Sequence, residues 1–134
     1  MRILLDTNVL IAAFIVHGAC AEVFEHCGRY HTLVTSDYVL DELRSVLTSK
    51  FHYSVSEVKR AVEIIKIKSE SHTPLPIPST ACSDPKDLPI LGTAIAGGCQ
   101  CLITGDKKLL VIKRYKHVDI ISPGDFWRYE ENPG

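Results

Sequence analysis

Five carboxylates are placed where they could act together. Asp6 closes the short apolar run Ile3-Leu4-Leu5, Asp106 follows Leu102-Ile103-Thr104 across Gly105, and Asp84 and Asp87 flank Pro85-Lys86 at the start of an apolar helical pattern. Glu42 lies three residues after Val39 and four before Val46, so on a helix it shares a face with core residues. A purely solubilising Glu would point elsewhere. Acids gathered at one rim repel and raise one another's pKa, an arrangement that is unfavourable unless a cation offsets the charge. Hard oxygen ligands without accompanying histidine select Mg²⁺ or Mn²⁺ over zinc. Such an ion lowers the pKa of a bound water, orients a phosphodiester and stabilises the leaving oxygen of an in-line displacement. The competing reading is separate surface acids, since sixteen Asp and Glu are spread over the chain.

The densest basic stretch, Lys107, Lys108, Lys113, Arg114, Lys116 and His117, begins beside Asp106. There it could steer a phosphate backbone toward a metal, with Lys107 and Lys108 nearest, or serve only as a solvated helix face. Lys59, Arg60, Lys66 and Lys68 read as an ordinary exposed face. Tyr115 and Trp127 could stack on bases, although packing at the core or rim suits both. Cys99-Gln100-Cys101 has no second pair at ligand spacing, and the six histidines make no H-x-x-x-H pattern, so no zinc site is expected.

The elements that must position these residues follow from periodicity and punctuation. Ile3 to Leu5 predicts a buried strand ending at Asp6, and the apolar stretch after Asn8 predicts a helix. Cys20, Val23, Phe24 and Cys27 recur at helical spacing, in a helix that Gly28 is expected to end before a strand at Thr32 to Thr35. Ser36 can cap a helix with the stripe Val39, Leu43, Val46 and Leu47. Ser54-Val55-Ser56-Glu57 is a capping box for another, with inner face Val55, Val58, Val62 and Ile65. Pro74-Leu75-Pro76-Ile77-Pro78 lacks too many N–H donors for a central strand and reads as a connector or an edge strand. Asp84-Pro85 opens a helix carrying Leu88, Leu91, Ala94 and Ile95, stopped by Gly97-Gly98 before a strand at Cys101 to Thr104. A short helix over Leu109 to Ile112, a last strand over Val118 to Ile121, and a turn or helical cap at Pro123 to Trp127 complete the chain.

With 134 residues, the chain has the length of one domain, residues 1–134, that buries roughly two thirds of its unfolded surface. Hydrophobic residues at 46% and charged residues at 23% exclude a disordered tail, a collagen-like rod and a coiled coil. The net charge of -1 means that any nucleic acid must be held by a local patch. Five cysteines, an odd number without repeated C-x-x-C pairs, fit a reducing, cytoplasmic setting. The run Val9 to Val16 followed by Ala19-Cys20-Ala21 mimics an export signal, but Asp6-Thr7-Asn8 interrupts the required order, and the run is far short of the roughly twenty residues of a membrane span. Short apolar strands alternating with helices predict a three-layer α/β/α sandwich with a mainly parallel sheet, whose ligands bind beyond the carboxyl ends of the strands. An aspartyl-phosphate phosphatase would want D-x-D where Asn8 stands, and a phosphoacceptor domain would want adjacent acids near the first strand. Neither pattern is present.

Asp6-Thr7-Asn8 after an N-terminal strand, Thr35-Ser36 followed by Glu42-Leu43, Asp84-Pro85-Lys86-Asp87 opening a helix, and Leu102-Ile103-Thr104-Gly105-Asp106 together resemble the PIN-domain nucleases. The likeness extends over nearly the whole chain and is closest to the toxin components of toxin-antitoxin systems, the VapC-type proteins. The resemblance implies a Mg²⁺- or Mn²⁺-dependent endoribonuclease in which Asp6, Glu42, Asp87 and Asp106 match the four acidic positions. Asn8, Ser36 and Thr104 match polar supporting positions. Asp84 matches an additional Asp whose role stays open between supporting residue, metal ligand and helix cap. An RNA substrate, an antitoxin partner and a homodimer are implied as well. Gln100 departs from the pattern where many relatives carry Asp, and an altered set of contacts behind the metal ligands is expected from it. A non-catalytic PIN-like module binding RNA or protein is the alternative.

Overall fold

The computed structural model describes residues 1–133. Six strands form one sheet in the order β3-β2-β1-β4-β6-β5, with β1 Arg2–Leu5, β2 Thr32–Thr35, β3 Ser69–Ser71, β4 Cys101–Ile103, β5 Arg114–Tyr115 and β6 Val118–Ile121. Every pairing is parallel except the β5–β6 hairpin. Seven α-helices connect or follow the strands: α1 Thr7–Ile15, α2 Ala19–Tyr30, α3 Asp37–Ser49, α4 Val55–Lys68, α5 Leu88–Ala96, α6 Lys107–Leu110 and α7 Phe126–Glu131. The fold is the three-layer α/β/α sandwich expected from the alternation of elements. The right-handed rule for parallel crossovers assigns the helices of the β1-to-β3 steps to one face and α5, on the return from β3 to β4, to the other. The central strands are therefore covered on both sides, which is why Ile3, Leu4, Leu102 and Ile103 are all fully buried.

The chain leaves β1 toward β2, whereas β4 lies on its other flank, so the direction of winding reverses between β1 and β4. The connections that follow their carboxyl ends head in opposite directions along the sheet, and such a switch point leaves a crevice beyond the strand ends. Asp6 and Asp106 follow these two ends.

Several elements depart from the expected boundaries. Helix α1 starts at Thr7 because the Asp6 carboxylate caps it, accepting from the Thr7 N–H. Gly28 does not end α2: the helix runs through Gly28 to Tyr30 and His31 takes the C-cap. In α4 the capping box forms as expected, but Val55, at the first helical position, is 88% exposed and Ala61 joins the buried face instead. The proline-spaced segment contributes no strand; the sheet edge is Ser69–Ser71, and the prolines form a strap over α5 with the Leu75 N–H donating to the Gly92 carbonyl. A Cβ at Gly92 would run into the Leu75 carbonyl, so a glycine is required at that crossing. The short helix after β4 begins at Lys107, two residues earlier than expected, because Asp106 caps it. The hairpin strand β5 was not foreseen; the flanking Lys113 and Lys116 have φ of 65° and 53°, which turns the chain tightly. Among the described residues, no single helix is long and apolar enough to cross a membrane.

Candidate metal and phosphodiester site

A cleft of about 270 Å³ opens where β1 and β4 end, lined by Asp6, Glu42, Asp84, Asp87 and Asp106 together with Thr7, Asn8 and Lys86. All five carboxylates singled out in the sequence are therefore gathered at one place. Asp6 is 5% exposed and held rigidly: its Oδ1 accepts from the Thr7 N–H at 2.7 Å, and its Oδ2 accepts from Thr104 Oγ1 at 2.7 Å and Asn8 Nδ2 at 3.0 Å. Asn8 ties the two strand ends together, since its Oδ1 accepts from the Gly105 N–H at 2.9 Å. Thr104, buried beneath the cleft, also accepts from the Asp106 N–H at 3.0 Å. A single hydroxyl thus sets both the Asp6 carboxylate and the Asp106 backbone.

Glu42 is half-buried on α3, and its Oε1 accepts from Thr7 Oγ1 at 2.5 Å. Sequence reasoning gave Thr7 no role of its own, because its partner lies thirty-five residues away. Ser36 is fully buried and does not line the cleft. It accepts from the Val39 N–H and from Thr93 Oγ1, locking the start of α3 against α5 and so aiming Glu42.

Asp84 and Asp87 have opposite fates within one short 3₁₀ turn, Pro85–Asp87. Asp84 caps the turn through Oδ1 to the Lys86 N–H and accepts from Lys108 Nζ at 2.9 Å through Oδ2. The Lys108 bond holds the Asp84 carboxyl below the usual carboxylate range. Asp87 is 9% exposed, and among the described residues its Oδ2 is a buried atom with no hydrogen-bond partner. Burial first, then the charges of Asp106, Asp84 and Asp6, push its pKa up to about 6. Burial also raises the Asp6 pKa, against the Thr104 and Thr7 hydrogen bonds, with Glu42 and Asp106 adding to the rise. These are the costs expected of acids assembled for a cation.

Lys107 and Lys108 are both exposed beside the cleft, with Lys108 engaged by Asp84. Lys86, which sequence reasoning passed over, lines the cleft directly. Arg114 faces Asp119 at 3.6 Å on the β5–β6 hairpin. Gln100 corrects an expectation: it precedes β4 at the opposite rim, where its Oε1 accepts from the Arg2 N–H at 2.6 Å, so it has no part in the contacts behind the acids.

The sequence matches the PIN domain family over residues 2–108. The chain belongs to the PIN domain family. Its acid cleft lies wholly within the matched span. A solved structure similar to this PIN domain is that of VapBC2 from Rickettsia felis bound to a DNA fragment from their promoter, with a TM-score of 0.64, 20% identity, and coverage of 91% of this chain and 98% of that one. At that identity the likeness is one of fold. No curated protein matches this PIN domain in sequence.

A second cluster was missed. Among the described residues, His26, His31 and Glu130 are the only His, Cys, Asp or Glu side chains that bring three ligand atoms within 4.8 Å of one another. The cleft acids stand farther apart, with Asp6, Glu42 and Asp84 each leaning on its own hydrogen-bond donor. No local ligand spacing in the sequence marks the trio, because Glu130 is 104 residues from His26.

Proposed function

We propose that residues 1–134 act as a single PIN-like domain whose cleft holds Mg²⁺ or Mn²⁺ and hydrolyses RNA phosphodiester bonds internally. The observation that carries this reading is the Asp87 carboxylate, buried, without a partner and crowded by other acids. Such a group is unfavourable in the empty protein and becomes favourable when a cation supplies the missing positive charge. The donors are all carboxylate oxygens, the set that suits Mg²⁺ and Mn²⁺, and the site residues Asp6, Glu42, Asp87 and Asp106 would hold the ion. When bound, it supplies an activated water and charge stabilisation at the phosphate.

The chain's own residues do the positioning. Asn8 and Thr104 fix Asp6 and the Asp106 backbone at the switch point, and Thr7 and Ser36 fix Glu42. Asp84 belongs with these supporting residues, because the Lys108 ammonium 2.9 Å from its Oδ2 already supplies the positive charge that a metal would bring. Lys86, Lys107 and Lys108 offer charge to the flanking phosphates of an RNA strand. Membership of the PIN domain family supports nuclease chemistry, and the shared fold with a VapBC2 complex supports a toxin role with a protein antitoxin as partner.

Incubating the purified chain with total RNA in Mn²⁺ or Mg²⁺ tests the reading. Cleavage that stops on chelation and is absent in Asp106→Asn is expected. Equal cleavage in the presence of EDTA, or by Asp106→Asn, would remove the assignment.

A further inference from the structure

At the amino-terminal ends of the parallel strands, across the sheet from the acid cleft, His26 near the end of α2, His31 just before β2 and Glu130 of α7 converge. Glu130 Oε2 lies 2.6 Å from Nε2 of both His26 and His31. Two imidazole nitrogens from different backbone segments thus face one carboxylate oxygen, and the other Glu130 oxygen is left over for a second bond. The rings are held in place by packing. His26 sits with its ring centre 4.8 Å from Trp127 and 4.9 Å from Tyr30, while His31 meets the edge of Phe126 at 6.1 Å and has its Nδ1 3.0 Å from the Met1 nitrogen. The side chains retain 27%, 12% and 28% exposure, so an ion from solvent can reach the three donors. His31, and after it His26, holds the Glu130 carboxyl below its usual range, so it is ionised at neutral pH.

We propose that His26, His31 and Glu130 bind one transition-metal dication of the zinc class. Two imidazole nitrogens and one carboxylate oxygen are a zinc-class donor set, with a fourth position left for water. Mg²⁺, which favours oxygen ligands in octahedral geometry, is excluded by the same chemistry. The two rims of the sheet therefore select different metals. Ligands from α2, from its C-cap residue His31 just before β2, and from α7 would be joined by one ion, so its binding fastens α7 to the sandwich.

Co²⁺, a spectroscopic stand-in for zinc, tests the proposal on the full chain stripped of metal, with excess Mg²⁺ present to occupy the acid cleft. Trp127 is the only tryptophan and touches the cluster, so its fluorescence reports this rim. Wild type should bind one Co²⁺ with visible ligand-field absorption and quenching of Trp127, should release it to Zn²⁺, and should melt higher with Zn²⁺. His26→Gln and Glu130→Gln should each weaken binding by about tenfold or more, because each deletes a ligand outright. Glu130→Gln keeps the size and a hydrogen-bonding oxygen, and it decides the matter if His26→Gln unfolds. Asp87→Asn should leave the Co²⁺ isotherm unchanged. The absence of Co²⁺ absorption in wild type, an intense thiolate-to-cobalt band, or an isotherm unaltered by both rim substitutions would overturn the proposal. Loss of Co²⁺ binding in Asp87→Asn alone would overturn it as well, by placing the ion in the cleft.

Discussion

Asp87→Asn should make the metal-free protein more stable while removing much of what metal adds. The Asp87 pKa stands at about 6 against an ordinary 3.8, because burial and the neighbouring acids disfavour its charged form. At 1.36 kcal/mol per pH unit this gap corresponds to about 3 kcal/mol, and since the cleft is open to water, screening reduces it to about 1–2 kcal/mol. A raised carboxyl pKa contributes stability that is fully present below the unfolded value, near 4, and is lost as pH rises through the folded value, near 6. The metal-free wild type should therefore lose about 1–2 kcal/mol from this group between pH 4 and pH 7, and Asp87→Asn should lack that loss. At pH 7 with EDTA, the variant should melt about 3–8 °C higher than wild type. Wild type in Mn²⁺ should regain stability as RT ln(1 + [L]/Kd), about 2.7 kcal/mol at a hundred times Kd, and the variant should regain much less. Thermal melts across pH 4 to 8, with EDTA and with Mn²⁺, measure all of this. A metal-free Asp87→Asn protein that melts below wild type at pH 7, or an equal Mn²⁺ shift in both, would refute the reasoning.

Asp6→Asn, Asp106→Asn and Glu42→Gln should each lower RNA cleavage by at least about a hundredfold, since even residues behind a metal ligand are commonly worth 10–100-fold. Asp84→Asn should cost less, and equal, severe losses in Asp84→Asn and Asp87→Asn would show that the two are wrongly ranked. Replacing Lys107 and Lys108 together with Ala should weaken RNA binding and flatten its dependence on salt, measured by fluorescence anisotropy over a salt series. An unchanged affinity and slope would reduce those lysines to a solvated face. Gly92→Ala should destabilise the fold by about 1–3 kcal/mol in urea unfolding by forcing the proline strap off α5, and a neutral result would show that the strap yields freely.

The acid cleft was legible in the sequence because its parts lie at positions that local patterns define. Asp6 and Asp106 follow strands, Asp87 opens a helix, and Glu42 shares a stripe with Val39 and Val46, so a parallel sheet with a switch point brings them together. What holds the acids was less visible. The Thr7 hydroxyl reaches Glu42 and the Thr93 hydroxyl reaches Ser36 only through helix packing, which periodicity does not encode. Gln100, expected to alter the contacts behind the metal ligands, cannot reach them, because β4 stands between it and Asp106 and carries the two to opposite rims. Gly28 failed as a stop signal because nothing in α2 requires a left-handed residue there, and the helix continues to its cap at His31. The His26, His31 and Glu130 cluster depends on α7 packing beside α2, a contact between residues 104 apart in sequence.

Anomalous diffraction from crystals soaked in Mn²⁺ tests the central claim most directly. The account predicts a manganese peak inside the cleft, about 2.1 Å from carboxylate oxygens of at least two of Asp6, Glu42, Asp87 and Asp106, with Asp87 Oδ2 turned toward it. A cleft without manganese, or manganese found only against His26, His31 and Glu130, would contradict it.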